Sequence, residues 1–305
     1  MIYNLDNISI VNDDNLTVTG KLPEKLFDLI LFDPPFPNLY NGNDYTSFIR
    51  ERIETSYKSL SPYGNFVTVN YSEPSYLMED KLNKLGLNKN WNIDIPTVEI
   101  YGMKRTKSTE KVCIQSFSKF KTSAENLHLS DIRHSPGHSG VNEAMPSWEV
   151  EAIMYLLNID SSDIVLDMFG GGGTVPNVCN ELGAKCISIE INNNRFNNIL
   201  NRINTKKPHD KCTILSCNRT AICQTKDGRL CSNHYQLRRT YIKNKRNALI
   251  GINKNLIPIE TGKSMCSMIN LASAFLSKAE RLESYEERES IYSDAISRLR
   301  ENYGN

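Results

Sequence analysis

Two short stretches of the chain place polar side chains beside rigid or very small residues, directly after apolar runs. The first, Asp33-Pro34-Pro35-Phe36, follows the nearly continuous apolar run of residues 26–32. Two prolines prevent this run from continuing as a strand, because proline has no N–H for a ladder and fixes its own φ angle. A carboxylate on so stiff a loop is placed to meet a substrate, and we predict that this tetrad is the active site. Asp-Pro-Pro alone is also typical of a strand that ends in a rigid turn.

The second stretch is rich in glycine. Residues 163–168 form another apolar run, which leads into Phe169, four consecutive glycines and Thr174. Glycine lets a backbone approach a ligand closely, because it has no Cβ. The next apolar run, residues 186–189, ends at Glu190 roughly 20 residues further on. This spacing is typical of a Rossmann-type nucleoside site, in which the acidic residue binds the ribose hydroxyls.

The glycine run fits a dinucleotide site poorly. If Gly170 and Gly172 were the first two glycines of G-x-G-x-x-G, the third would fall on Val175. Pro176 then follows, where the N-terminus of a helix would have to face a pyrophosphate. A nucleoside without phosphates therefore fits better, and a dinucleotide-dependent oxidoreductase is a rival interpretation that predicts NAD binding.

The elements that must position these stretches are strands of one α/β sheet. Apolar runs without alternation indicate parallel strands buried on both faces, and open sheets of this kind bind ligands at the carboxyl ends of their strands. Both stretches follow such ends. The pattern also predicts a strand at residues 8–11 and amphipathic helices at residues 46–60 and 193–204.

Together, the tetrad and the glycine loop resemble those of the amino-methyltransferases that use S-adenosylmethionine. The hallmarks of these enzymes are an Asp-Pro-Pro-aromatic tetrad and a Phe-x-Gly-x-Gly-Thr-like loop. Because the tetrad precedes the loop, the order is similar to that of the permuted, beta group of DNA amino-methyltransferases, over roughly residues 5–205. Met168 stands where that family often has proline, and the glycine run is longer. The resemblance implies a Rossmann-like methyltransferase sheet, with further strands at residues 64–69, 98–101 and 112–115.

The resemblance also implies a role for each residue of the tetrad. Asp33 and the Pro34 carbonyl each accept one hydrogen of an amino group. Pro35 keeps the loop stiff, and Phe36 stacks on the base, which must leave the double helix to reach a recessed pocket. In the loop that follows, Tyr45 and its neighbour Tyr40 are further candidates for stacking on a base.

The implied cofactor is S-adenosylmethionine. Glu190 binds its ribose, and Phe169 marks its methionine end. An acidic residue lies near the adenine ring, and Asp14 or Asp13 fits that role, although acidic turn residues are equally common after a strand. The implied cofactor-binding residues are Asp14, Asp167, Phe169, Gly170, Gly172, Thr174 and Glu190.

The implied reaction is methylation of the exocyclic amino group of a base in DNA. N6 of adenine is the expected target, because the N4-cytosine enzymes more often carry serine where Asp33 stands. RNA stays open as the substrate, since phosphate contacts carry no sequence information. A rival from another class is a nucleic-acid-binding protein with an inactive methyltransferase fold, and the intact tetrad and glycine loop argue against it.

A cysteine-rich segment follows the second predicted helix. Four of the chain's eight cysteines lie between positions 212 and 231. The spacing predicts a structural zinc site, which so short a segment would need in order to fold, and Cys223 is an alternative to either of the first two ligands. The end of the segment, residues 228–235, resembles small zinc modules attached to phage enzymes that act on nucleic acid. Disulfides are the alternative, disfavoured in an intracellular chain. The predicted ligands are Cys212, Cys217, Cys231 and His234.

Basic and aromatic residues follow the cysteines, between Arg238 and Arg246, and suit a surface that contacts phosphates. A solvated helix face is the alternative. Residues 264–302 are helical in pattern, which favours packing or self-association, a homodimer included. We therefore divide the chain into a methyltransferase domain (1–207), a zinc-binding and basic segment (208–248) and a helical tail (249–305).

Charge and hydropathy limit where the protein acts. Lys and Arg number 36 against 35 Asp and Glu, so DNA must be met by a local basic patch. No stretch approaches the roughly 18 apolar residues of a membrane span, and the N-terminus lacks the pattern of a signal peptide. We therefore expect no membrane partner and a cytoplasmic location, in a bacterium or a phage-infected cell.

Overall fold

A computed structural model describes most of the N-terminal two thirds of the chain and its last helix. The described residues are 1–37, 40, 42, 44–96, 111–119, 145, 150, 153–154, 157, 159, 161–204, 223–225, 228–230 and 285–303. The chain divides into two compact units, Met1–Lys206 with Ile291–Asn305, and Lys207–Ser290. Residues 291–305 thus group with the first unit, whereas the division made from the sequence placed them in a separate tail.

One eight-stranded sheet forms the centre of the first unit. Its strands lie in the order β1-β2-β8-β7-β3-β4-β6-β5. Strands β2, β8, β7, β3 and β4 run parallel, whereas β1, β6 and β5 are antiparallel to their neighbours. The strands are β1 (Ile2–Leu5), β2 (Ile8–Val11), β3 (Phe27–Phe32), β4 (Leu60–Tyr71), β5 (Asn88–Pro96), β6 (Lys111–Ser118), β7 (Ile164–Asp167) and β8 (Lys185–Ile189).

The parallel strands are buried on both faces, as their apolar runs predict. Every residue of β3 is buried. Leu29 and Leu31 pack into one hydrophobic cluster, while Ile30 and Phe32 pack into another. Because successive side chains of a strand point to opposite faces, the two clusters lie on the two sides of the sheet.

Six helices complete the described chain. The helices predicted at residues 46–60 and 193–204 are confirmed as α2 and α5, except that α2 ends at Tyr57 and Leu60 already begins β4. The strands predicted at residues 8–11, 64–69 and 112–115 lie within β2, β4 and β6. The strand predicted at residues 98–101 lies outside the described residues. The helices are α1 (Asn15–Thr19), α2 (Tyr45–Tyr57), α3 (Ser72–Lys84), α4 (Thr174–Leu182), α5 (Asn193–Asn204) and α6 (Tyr285–Tyr303).

From Ile291 onward, the last helix belongs to the first unit and packs within its core. Ala295, Ile296 and Leu299 are buried in the same hydrophobic cluster as β3 residues such as Ile30. The hydroxyl of Tyr292 donates a hydrogen bond to the Asn7 carbonyl at 3.2 Å. Of the helical pattern predicted for residues 264–302, the part from residue 285 onward is confirmed, while residues 264–284 lie outside the described residues. The apolar face of this helix completes the core of the sheet.

In the second unit, β9 (Cys223–Thr225) and β10 (Gly228–Leu230) form an antiparallel pair. Residues 238–246 and the predicted zinc ligands lie outside the described residues, so the zinc site stays a prediction. Within the described ranges, no group of three His, Cys, Asp or Glu side chains is placed to hold a metal ion. Those same ranges contain no helix with the length and hydropathy of a membrane span. The zinc ligands concerned are Cys212, Cys217, Cys231 and His234.

Candidate active site

The tetrad and the glycine loop leave the sheet side by side. Their strands, β3 and β7, are neighbours, but β3 is followed by β4 on one side and β7 by β8 on the other. The register pairs Leu31 with Asp167, and the Met168 N–H donates to the Leu31 carbonyl at 3.1 Å. The order of the strands therefore reverses between β3 and β7, and open α/β sheets bind ligands at such a topological switch point.

A cavity of about 460 Å³ lies at this edge of the sheet. Small-molecule sites commonly occupy roughly 300–1,000 Å³. Every residue predicted for catalysis or cofactor binding lies in the lining of this one cavity. These residues are Asp14, Asp33, Pro34, Pro35, Phe36, Asp167, Phe169, Gly170, Gly172, Thr174 and Glu190.

The glycine loop depends on the absence of side chains. Gly171 and Gly173 have φ angles of +51° and +74°, which side chains rarely tolerate. A Cβ on Gly170 would lie 2.9 Å from the Ser188 hydroxyl and 3.0 Å from Ile199 Cδ1. The loop therefore lies directly on its neighbours, and its other side is open to the cavity.

A guanidinium group fixes the far end of this loop. Arg202, on α5, donates to the Gly172 carbonyl at 2.9 Å and to the Thr174 hydroxyl at 3.1 Å. This residue was not predicted. Its position in the sequence was nonetheless informative, since Arg202 falls on the apolar face of α5, between Ile199 and Ile203. A charged residue on such a face needs a partner.

Glu190 stands directly after β8, at the rim of the cavity. Its two carboxylate oxygens accept hydrogen bonds from the N–H groups of Gly171 and Asn192, both at 2.7 Å. Burial raises the pKa of Glu190, and these two bonds partly offset that effect. Each oxygen keeps a lone pair for a further donor. The next residue, Ile191, lines the cavity and is 66% exposed.

Asp167 lies at the end of β7 and is completely buried. Its carboxylate accepts from the Ser188 hydroxyl at 2.7 Å and from the Phe169 N–H at 3.3 Å. Burial raises its pKa to about 7, the two hydrogen bonds oppose this, and the charge of Glu190 adds to it. Ser188 was not predicted, although its place in an apolar strand marks it as a polar residue that needs a partner.

Asp33 differs from these two carboxylates in its hydrogen bonding. Burial raises its pKa to about 7, and the charge of Asp167 adds to the shift. Among the described residues, no side chain or N–H donates a hydrogen bond to the Asp33 carboxylate or to the Pro34 carbonyl. Both acceptors lie in the lining of the cavity.

Two hydrogen bonds hold the Pro35 carbonyl of the tetrad in place. The Tyr45 hydroxyl donates to the Pro35 carbonyl at 3.0 Å and accepts from the Asn70 amide at 2.9 Å. The sequence offered both Tyr40 and Tyr45 as candidates for stacking on a base, and of these two Tyr40 lines the cavity whereas Tyr45 does not. Asn70 was not predicted, because its partner lies 25 positions away.

Two contacts hold Asp14, which also lines the cavity. One oxygen accepts from the Leu16 N–H at 2.9 Å, which caps α1, and the other pairs with the Arg52 guanidinium at 2.7 Å. That guanidinium also lies 3.9 Å from the centre of the Phe48 ring. Arg52 was not predicted, yet like Arg202 it sits on the apolar face of its helix, one residue before Ile53.

Comparison with known proteins points to one group. Residues 89–202 match the sequence profile of the N6/N4 methylase family, described as DNA methylase. The type II methyltransferase M.HpaI of Haemophilus parainfluenzae is 27% identical, and the match spans 56% of this chain and 66% of that protein.

Solved structures confirm the fold. The cytosine-N4-specific PvuII DNA methyltransferase is 18% identical, with a TM-score of 0.53 over 68% of this chain and 89% of that chain. A candidate DNA modification methylase from Thermus thermophilus, solved in complex with S-adenosyl-L-methionine, is 18% identical, with a TM-score of 0.50 over 67% and 95%. The large mixed sheet is therefore the α/β methyltransferase fold, as predicted.

Proposed function

We propose that this protein is an S-adenosylmethionine-dependent DNA methyltransferase that modifies the exocyclic amino group of a base, N6 of adenine. One observation carries the proposal. Asp33 presents a partly buried carboxylate that accepts no hydrogen bond within the described part of the chain, and it lines the same cavity as the glycine loop. Buried polar groups normally have partners, so an unpaired acceptor here calls for a donor on the ligand.

The cavity suits the proposed cofactor in size and chemistry. Glu190 has lone pairs free for two ribose hydroxyls, while two N–H groups hold its carboxylate in place. Ile191 offers an exposed apolar surface for the adenine ring. Gly170 lets the loop pack closely against Ser188, where a Cβ would not fit, and this leaves the cavity side of the loop open. S-adenosylmethionine supplies a methyl group on a positively charged sulfur.

The tetrad can orient an aromatic amine for attack on that methyl group. Such an amine is a poor nucleophile, because its lone pair is conjugated with the ring. The Asp33 carboxylate and the Pro34 carbonyl can each accept one amino hydrogen, and the lone pair then points away from both acceptors. Phe36 can stack on the base, which must be flipped out of the duplex to reach it. With a pKa near 7, Asp33 can also take up the proton that the methylated nitrogen loses.

The adenine assignment rests on Asp33. An N4-cytosine enzyme presents an equivalent amino group, and the PvuII methyltransferase, which has this fold, is cytosine-N4-specific. Asp33 favours adenine, because serine is commoner at this position in the N4 group. DNA is proposed as the polymer because the matched family is described as DNA methylase.

We also propose that the second unit holds a structural zinc ion and presents the basic segment to DNA. The spacing of the ligands supports the site, and β9 and β10 pair between the second and third ligands. Strands of three residues have too little core to fold without such support. Elemental analysis should find about one zinc per chain, and Cys231→Ser should weaken DNA binding before cofactor binding. The proposed ligands are Cys212, Cys217, Cys231 and His234.

The decisive test of the enzyme is incubation with labelled cofactor and DNA or RNA, followed by nucleoside mass spectrometry. We expect N6-methyladenine in DNA, and none with Asp33→Ala. N4-methylcytosine would overturn the assignment of the base, and label only in RNA would overturn the assignment of the polymer. Label on protein would overturn both assignments. Absence of heat in calorimetric titration with S-adenosylmethionine, at high protein concentration, would reject the enzyme itself.

A further inference from the structure

A chain of two hydrogen bonds joins β4 to the tetrad loop through a tyrosine. Asn70, which is completely buried, donates from its amide nitrogen to the Tyr45 hydroxyl at 2.9 Å. That hydroxyl donates in turn to the Pro35 carbonyl at 3.0 Å. Because Asn70 supplies a donor, the hydrogen of Tyr45 is directed to Pro35, and two bonds that run in one direction strengthen each other.

The Tyr45 ring is also held by contacts other than these two hydrogen bonds. It is the first residue of α2, whose N-cap is Asp44. Its ring centre lies 5.4 Å from that of Tyr40 and 6.1 Å from that of Phe48. Tyr40 and Phe48 line the cavity, but Tyr45 does not belong to that lining. Tyr45 therefore contacts the tetrad from outside the cavity, where a bound ligand does not displace its hydroxyl from the Pro35 carbonyl.

The hydrogen bond to Pro35 controls the last flexible part of the tetrad loop. The proline ring fixes φ of Pro35, so ψ is its remaining soft dihedral. A bond to the Pro35 carbonyl fixes ψ, and with it the peptide plane from which Phe36 projects. The Pro34 carbonyl, on the other side of the ring, stays without a partner among the described residues and so stays open to a substrate.

We infer that Tyr45, oriented by Asn70, is a positioning residue for methyl transfer. Through the Pro35 carbonyl it sets the direction of the Phe36 ring against the flipped base, and it keeps the Pro34 carbonyl turned toward the amino group. This inference rests on the proposed function. Since neither contact reaches the glycine loop or Glu190, loss of the hydroxyl should slow transfer without weakening cofactor binding.

The test is Tyr45→Phe, which removes the hydroxyl and keeps the ring among its aromatic neighbours. Its single-turnover methylation rate, at saturating cofactor and DNA, should fall about tenfold, as expected for one lost hydrogen bond in the transition state. The cofactor Kd from calorimetry should stay within about twofold. Tyr292→Phe is the matched control, because its hydroxyl also donates to a backbone carbonyl, that of Asn7. It should leave both constants unchanged.

A double-mutant cycle tests whether Asn70 acts through Tyr45. Asn70→Ala should slow transfer several-fold in the wild-type background and less than about twofold beside Tyr45→Phe. Additive effects of the two substitutions on the rate would show that Asn70 does not act through Tyr45. A wild-type rate for Tyr45→Phe, or a cofactor Kd that weakens as much as the rate falls, would overturn the positioning role alone. A wild-type protein that methylates neither DNA nor RNA would overturn the proposed function, and the inference with it.

Discussion

Two carboxyl groups at the switch point should make methyl transfer depend on pH. Burial raises the pKa of both Asp33 and Asp167 to about 7. A carboxyl group with a raised pKa is neutral below that value and charged above it. The ionised form of Asp33 is the one that stabilises a cationic cofactor and the positive charge that develops on the amino nitrogen. Transfer should therefore accelerate as the pH rises through 7.

The pKa of Asp33 determines how far the methylation rate should fall as the pH is lowered. For a single group with a pKa near 7, the ionised fraction falls from about 0.9 at pH 8 to about 0.1 at pH 6, so kcat/KM should fall about tenfold. In the cofactor complex, the positive sulfur lowers the pKa values of Asp33 and Asp167. The fall in kcat should thus occur at lower pH than the fall in kcat/KM.

Initial rates measured from pH 5.5 to 8.5 at constant ionic strength would test this reasoning. Asp33→Asn keeps an acceptor oxygen but cannot ionise, so its profile should lose the roughly tenfold fall that Asp33 contributes. Asp80→Asn is a suitable control, because Asp80 is an exposed carboxylate paired with Lys84. A flat wild-type profile between pH 6 and 8, or an Asp33→Asn profile like that of the wild type, would refute the argument.

Three further predictions concern packing and stability. Gly170→Ala forces a Cβ to within 2.9 Å of the Ser188 hydroxyl, so the cofactor Kd from calorimetry should rise about tenfold or more, while Gly20→Ala, which meets only ordinary contacts, should leave it unchanged. Leu299→Ala should lower the free energy of unfolding in urea by about 2–5 kcal/mol, since Leu299 is 1% exposed in the core, whereas the exposed change Ser297→Ala should cost little. Because the folded-state pKa of Asp167 lies above its unfolded value, the stability that its neutral form provides is lost as the pH rises from about 4 to about 7. Unliganded Asp167→Asn should therefore lose less stability than the wild type between pH 5 and 8, and equal losses would contradict that shift.

The parts of the site that could be predicted from the sequence are those written in consecutive residues. An apolar run followed by two prolines, or by four glycines, identifies a strand and the loop at its end without knowledge of any other element. The hydrogen bonds that hold those loops join distant positions: Asn70 and Tyr45 are 25 residues apart, and Arg52 and Asp14 are 38 apart. No local pattern pairs such residues, because their proximity results from the order of the strands in the sheet.

The last helix illustrates the same limit. Its apolar face was visible in the spacing of residues 291–299, but periodicity indicates only that a face will be buried, not against which surface. In the structure, Tyr292 bonds to the carbonyl of Asn7, 285 positions away. Charged residues on the apolar faces of helices could have indicated some of these long-range contacts from the sequence. Both Arg52 and Arg202 interrupt the buried side of a helix, and both hold a loop of the cavity.

The cost of burying carboxylates explains why these groups point to a cationic ligand. Asp33, Asp167 and Glu190 line one cavity, and burial raises the pKa of each. Asp167 and Glu190 recover part of that cost through hydrogen bonds. Asp33 accepts none within the described chain, so its ionised form is stabilised only when a ligand brings a positive charge or a donor. A positively charged sulfur beside an amino group supplies both. Once the methyl group has left, the sulfur is neutral, and the same carboxylates then favour release of the spent cofactor.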